Sequence, residues 1–347
     1  MPLSASRALR QMYASNEPSR LKTYEAAGEL LVIPPESPFV VRLDGVSFYR
    51  LTKGVTKPFD LRITRAMRRT AMDLMSHFSP TTVYTQSDEI SLVYLPAMGP
   101  QSVNHDKQKR RPNAVFPHLY AGRIIKIAST IASYTAVRFN YHLQQEDWTD
   151  LAPQHQRTLL NATACFDGRA FACSYEDLAN QIFWRSNFDG LRNAVSHFAQ
   201  SVLPAGTLQG RNLTQQLELL AERGRSPFAE VEPCHMWGTW LKRETYQMPA
   251  SAKRGRSRAI PVMPAFVTRR RIRFGCFNWA DYTPAQRLAF TAAPLWLDRA
   301  PDVDVSTNTS AAPAGSLESS LDVDASLPQF PWPPKSAIED DPYQPQF

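Results

Sequence analysis

The chain has 347 residues, 43% of them hydrophobic, enough for one large domain or two small ones. It contains no run of about eighteen uncharged apolar residues, which excludes a membrane-spanning helix. The net charge is +7, but residues 301–347 hold eight acids and one base, so the first 300 residues carry +14, a balance suited to a polyanionic partner such as nucleic acid.

Residues 1–19 read as an N-terminal extension. The first sixteen contain Arg7, Arg10, several serines and no acid before Glu17. They weakly resemble a mitochondrial presequence, but a short disordered or helical start is the favoured reading, and no secretory apolar core is present. Arg20–Glu25 begins a helix. Pro34, Pro35 and Pro38 then set the start of a strand, Phe39–Leu43, which ends in Asp44-Gly45. Pro58 is expected to open a helix, since proline tolerates the first helical turn. Met67, Ala71, Leu74 and Phe78 recur at three-to-four spacing as its buried stripe, with Arg62, Arg65, Arg68 and Arg69 outward. Thr81–Thr85 and Ile90–Leu95 form a hairpin whose turn carries Asp88 and Glu89.

Residues 96–117 read as a basic loop containing Lys107, Lys109, Arg110 and Arg111. A helix over about 118–138 follows, with Ile124, Ile127, Ile131 and Tyr134 on one face, and then a strand within Asn161–Ser174. The order over residues 39–174 is β-α-β-β-α-β, the split βαβ arrangement. The expected fold class is therefore α+β: a ferredoxin-like palm over residues 20–174, with an appended helical region and basic loops in 175–300. Residues 249–273 form the second basic excursion. The Ser/Ala/Pro/Asp composition of 301–347 argues for an acidic disordered tail.

Cys165, Cys173, Cys234 and Cys276 form no C-x-x-C pair, and their spacing does not suit a zinc site. Cys234-His235 reads as an ordinary core-and-surface pair. Free thiols point to a reducing, cytoplasmic setting.

Chemistry concentrates at two acidic turns, Asp44-Gly45 and Asp88-Glu89, about forty residues apart. Alone, Asp-Gly and Ser-Asp are common turn formers. Placed at the ends of neighbouring strands, Asp44 and Asp88 form a pair able to hold divalent cations for phosphoryl transfer. Gly45 allows close backbone approach, and its carbonyl is a further ligand candidate. Glu89 is expected to point away from Asp88 on an extended backbone and to play a secondary catalytic part.

The strings Phe39–Phe48 (FVVRLDGVSF), Lys57–Asp60 (KPFD) and Ser87–Leu92 (SDEISL) resemble the tRNA-His guanylyltransferase superfamily. Arg20–Glu25, Gly122–Lys126 and Phe166–Arg169 agree with it, so the resemblance spans about 20–245. It implies nucleotide addition in the 3′–5′ direction at the 5′ end of tRNA. ATP would activate a 5′-monophosphate, and the 3′-hydroxyl of GTP or another nucleoside triphosphate would then attack. It implies two Mg²⁺ ions on Asp44, Gly45 and Asp88, and nucleotide contacts from Arg42, Val46, Ser47, Phe48 and Ser87. Family members form homotetramers. Lys57, Arg123, Lys126 and Arg192 are candidate triphosphate clamps. Lys109, Arg110 and Arg111 suit RNA backbone contact.

Residues Trp184–Ser196 resemble the guanylyltransferase-like, template-dependent branch, and lack the histidine motif of the eukaryotic tRNA-His enzymes. Asp189, Arg192 and Asn193 become RNA-binding candidates, and repair of truncated 5′ ends is favoured over strict tRNA-His guanylylation. A nucleotidyl-cyclase-like enzyme and a non-catalytic RNA-binding protein remain the alternatives.

Overall fold

The computed structural model describes residues 30–97, 117–249 and 266–296. The N-terminal extension, Lys107, Lys109, Arg110, Arg111, most of the second basic excursion and the acidic tail lie outside the described residues. In chain order the principal elements are β1 (Phe39–Gly45), α1 (Leu61–Phe78), β2 (Thr82–Gln86), β3 (Glu89–Tyr94), α2 (Ile124–Gln144) and β4 (Phe166–Ala172). Then follow α3 (Asp177–Trp184), α4 (Leu191–Val202), α5 (Leu213–Glu222), α6 (Pro233–Trp237), β5 (Thr239–Pro249), β6 (Phe266–Gly275) and α7 (Pro284–Ala292).

The sheet order is β4-β1-β3-β2-β5-β6, with every neighbouring pair antiparallel. The first four strands give the ferredoxin-like order that the β-α-β-β-α-β reading requires. Strand alternation sorts the side chains. Phe39, Val41 and Leu43 of β1 join Ile90 and Leu92 of β3 under α1 and α2. Val40, Tyr84 and Val93 face the other way, onto an aromatic cluster of Trp240, Phe277, Trp279, Phe290 and Trp296. A third cluster, built on Val195, Phe198, Leu220 and Met236, holds α4, α5 and α6 together.

Four expectations need correction, the last following from the third. α1 starts at Leu61 rather than at Pro58, because the Asp60 carboxylate caps it by accepting the Arg62 N–H at 3.0 Å. α2 runs from 124 to 144 rather than 118 to 138; Tyr120, Ala121 and Gly122 have φ of 50°, 55° and 76°, which stops a regular helix before Ile124. The third correction is larger. The stretch after residue 238 is not simply helical with a basic loop: β5 and β6 form a long hairpin that extends the palm sheet beyond β2. Phe274 of that hairpin lies 4.5 Å beneath the Arg68 guanidinium, so Arg68 is buried rather than outward. Arg271 and Arg273 are on the edge strand and pair with Glu244 at 2.6 and 2.7 Å. No helix among the described residues is long and apolar enough to cross a membrane.

Candidate active site

The same alternation that buries Val40 puts Arg42 and Asp44 on its face of the sheet, beyond the edge of the aromatic cluster. Asp44 is paired in register with Glu89, so Glu89 lies on that face too. The expectation that it points away is corrected. A two-residue turn, with Ser87 at φ 54°, brings Asp88 alongside. The Gly45 N–H donates to the Asp88 carbonyl at 3.0 Å, joining the two acidic turns directly.

Arg42 sits between the acids. Its guanidinium donates to Asp44 at 2.9 Å and to Glu89 at 2.6 Å. Arg185 approaches Glu89 at 3.7 Å and binds Asp189 at 2.6 Å, and Asp189 also accepts from Arg192 at 3.2 Å. The result is an alternating chain: Asp44, Arg42, Glu89, Arg185, Asp189, Arg192. Glu89 therefore acts as a clamp on two arginines. Asp189 is engaged within the protein by both of its arginine partners, whereas Arg192 is largely exposed.

Asp88 is different. Among the described residues no cation pairs with it. Burial, with the nearby charges of Asp44 and then Glu89, holds its pKa above the usual carboxylate range, against hydrogen bonds that lower it. A half-buried carboxylate facing two others is a site short of positive charge. Asp44, Asp88 and the Gly45 carbonyl are hard oxygen donors of the kind Mg²⁺ takes, so the residues present fit such an ion.

A cavity of about 760 Å³ opens beside the turns. Its lining includes Gly45, Ser47, Phe48, Lys57, Ser87, Asp88 and Glu89 from the palm, and Arg185, Asp189, Asn193 and His197 from the helical region. Arg123, Lys126 and Arg192 do not line it, and neither do Arg42, Asp44 and Val46; Asp44 adjoins it through Gly45. Phe48 lines it while its ring packs 5.2 Å from Phe139 and 5.3 Å from Phe166 in the core. Gly190 makes the close approach of the helical region to the palm feasible: a Cβ there would stand 1.8 Å from Gln86 Oε1.

Nothing local in the sequence singles out His197, one unpatterned histidine on α4. In the fold it faces Lys57 across the cavity. Partial desolvation in the cleft, and then the Lys57 charge, push its pKa down from the ordinary histidine value, although the side chain keeps contact with solvent. A depressed folded-state value means the unfolded chain takes up the proton first as pH falls, so this group lowers stability below its unfolded pKa of about 6.5. The imidazole should therefore titrate below about 6.5, and Lys57→Met should move it part of the way back. An NMR titration that finds it at or above the unperturbed value would contradict this environment.

The sequence comparisons agree with the architecture. A family model described as tRNAHis guanylyltransferase matches residues 18–174. An uncharacterized protein of Acanthamoeba polyphaga mimivirus is 32% identical over 237 residues, covering 66% of this chain and 78% of that protein. The tRNA(His) guanylyltransferase of Schizosaccharomyces pombe is 29% identical over 169 residues, covering 48% of this chain and 53% of its own length. Among solved structures, a bacterial tRNA(His) guanylyltransferase-like protein in complex with ATP matches with a TM-score of 0.53 and 27% identity, over 65% of this chain and 86% of that one. With the palm order and the paired acidic turns, these matches place the chain in the tRNA-His guanylyltransferase family, as a nucleotidyltransferase.

Proposed function

We propose that the protein adds nucleotides in the 3′–5′ direction to the 5′ end of tRNA, filling truncated ends with bases chosen by pairing. The observation that carries the reading is the junction of Asp44-Gly45 with Asp88 beside a cavity that Lys57, Asn193 and His197 also line. Asp44, Asp88 and the Gly45 carbonyl would hold two Mg²⁺ ions, which when bound neutralise charge on attacking and leaving oxygens.

The chain's own groups supply the rest. Glu89 fixes Arg42, and Arg42 in turn orients Asp44. Lys57 offers the cavity an exposed ammonium for a triphosphate, and His197 stays uncharged beside it as a hydrogen-bonding group. ATP and GTP suit the same cavity, since the reaction needs a 5′-activating nucleotide and an incoming one. The incoming 3′-hydroxyl attacks the activated 5′ phosphate, and the activating nucleotide leaves as its monophosphate.

The RNA lies naturally against the α3–α4 junction. Trp184 and Phe188 stack there at 5.0 Å, both about half exposed, next to the exposed Arg192. An aromatic pair beside a guanidinium suits bases and backbone together.

Selection by pairing predicts the outcome of a direct assay. Truncated tRNAs with A, C, G or U at the templating position should receive U, G, C and A respectively. Efficient addition of G opposite A73 of full-length tRNA-His, with poor filling of truncated ends, would overturn the templated reading and leave nucleotide addition itself standing.

A further inference from the structure

We propose a second metal site, of a different chemical kind, formed by Glu232, Cys234, His235 and Cys276 and selective for Zn²⁺. In the sequence Cys234 and Cys276 are 42 positions apart and form no motif. The fold joins them. Cys234 lies on α6, and Cys276 directly follows β6 at the base of the added hairpin. Ligand atoms of Glu232, Cys234 and His235 all lie within 4.8 Å of one another. The Cys234 thiol is hydrogen-bonded to that of Cys276, which supplies the fourth donor.

Four tetrahedral ligands on zinc stand roughly 3.3–3.8 Å apart, given Zn–S of about 2.3 Å and Zn–N of about 2.0–2.1 Å. The Cys234 Sγ to Glu232 Oε2 separation is already 3.8 Å. Cys276 stands outside the set of three whose ligand atoms all lie within 4.8 Å, so its side chain has to turn toward them for a metal to take all four. The outer partners needed to aim the ligands are also in place. Thr64 Oγ1 lies 2.9 Å from His235 Nε2, and Phe59 stacks on the imidazole at 4.5 Å with planes 11° apart. Thr239 Oγ1 lies 3.4 Å from Cys276 Sγ. Such contacts hold ligands in orientation before the metal arrives.

Two thiolates, an imidazole and one carboxylate select Zn²⁺ over Mg²⁺, the reverse of the all-oxygen set at Asp44 and Asp88. Binding replaces the two thiol protons, which pass to solvent, and no redox partner is required. Cys234 and His235 line the nucleotide cavity, which gives the ion a way in.

The site has a mechanical consequence. The carbonyls of His235 and Met236 accept from Gln86 Nε2 at 2.9 and 3.0 Å. Gln86 directly precedes the Ser87-Asp88 turn. Zinc would therefore clip α6 to the β5–β6 hairpin and, through Gln86, steady the turn that carries Asp88.

The test uses the full chain, reduced and stripped of metal. Co²⁺ should produce thiolate-to-cobalt charge-transfer absorption, and Zn²⁺ should displace it at one equivalent and raise Tm. Cys234→Ser and Cys276→Ser should each weaken Zn²⁺ binding by at least the roughly 10- to 100-fold that loss of a ligand's outer partner costs, and should lose the charge-transfer band. Asp44→Asn with Asp88→Asn should leave the band and the stoichiometry unchanged, which separates this site from the Mg²⁺ reading. Absence of the band in the reduced wild-type chain overturns the proposal. So does a Zn²⁺ affinity that survives both cysteine substitutions, or uptake of no zinc by a chain whose Cys234 and Cys276 are instead found joined as a disulfide.

Discussion

Asp44→Ala or Asp88→Ala is expected to abolish nucleotide addition while the protein stays folded. Neither carboxylate belongs to the hydrophobic core: Asp44 is near the end of β1 and Asp88 is in the β2–β3 turn, so truncation removes charge and leaves little void. Cation-held charge neutralisation is worth several kcal/mol in such reactions. Its loss corresponds to a rate decrease on the order of 10³-fold or more. The isosteric Asp88→Asn sharpens the expectation. Burial and the neighbouring acids raise the folded-state pKa of Asp88. The ionised form is thus disfavoured in the metal-free fold, and stability is lost as pH rises from the unfolded value through the folded one. Removing the charge should therefore raise the Tm of the metal-free protein at neutral pH while activity disappears. Thermal unfolding and single-turnover addition, measured on one preparation at saturating Mg²⁺, check both halves. Near-wild-type addition by either variant would end the carboxylate-pair reading.

Gly190→Ala is expected to damage stability and activity together. The new methyl would enter the space of Gln86 Oε1, which is held in turn by Tyr84 and by the backbone of α6. Overpacking of this kind typically costs about 1–3 kcal/mol. The displaced element is the π-helical segment Arg185–Gly190 that bears Arg185 and Asp189, so Glu89 would lose one of its two arginines. Addition should fall well beyond what the stability loss explains. Circular dichroism melts set beside kcat would show this, and a variant with unchanged Tm and unchanged kcat would show that the helical region packs less closely on the palm.

Much of the palm was legible because its signals are local. The alternation Phe39, Val41, Leu43 and the three-to-four spacing of Met67, Ala71, Leu74 and Phe78 follow from strand and helix periods, and both sets are buried. Asp44-Gly45 and Ser87-Asp88 stood out because each ends an apolar run in short polar turn chemistry. α1 starts three residues after Pro58, because proline is merely compatible with a first turn, whereas the Asp60 side chain offers the cap.

The sequence by itself determined the β-α-β-β-α-β order, the basic body and the acidic pair, since period, composition and turn chemistry are properties of neighbouring residues. Only the tertiary structure decided the rest. The β5–β6 hairpin was hidden because Lys242 breaks its apolar pattern, yet Lys242 is fully buried, with its ammonium donating to the backbone carbonyls of Thr81, Thr291 and Ala293. The alternating chain from Asp44 to Arg192 joins residues nearly 150 positions apart. His197 reaches Lys57, and Cys276 reaches Cys234, only after separate elements pack. Charge pairs and donor clusters are distances in space, and no local pattern in the sequence encodes them.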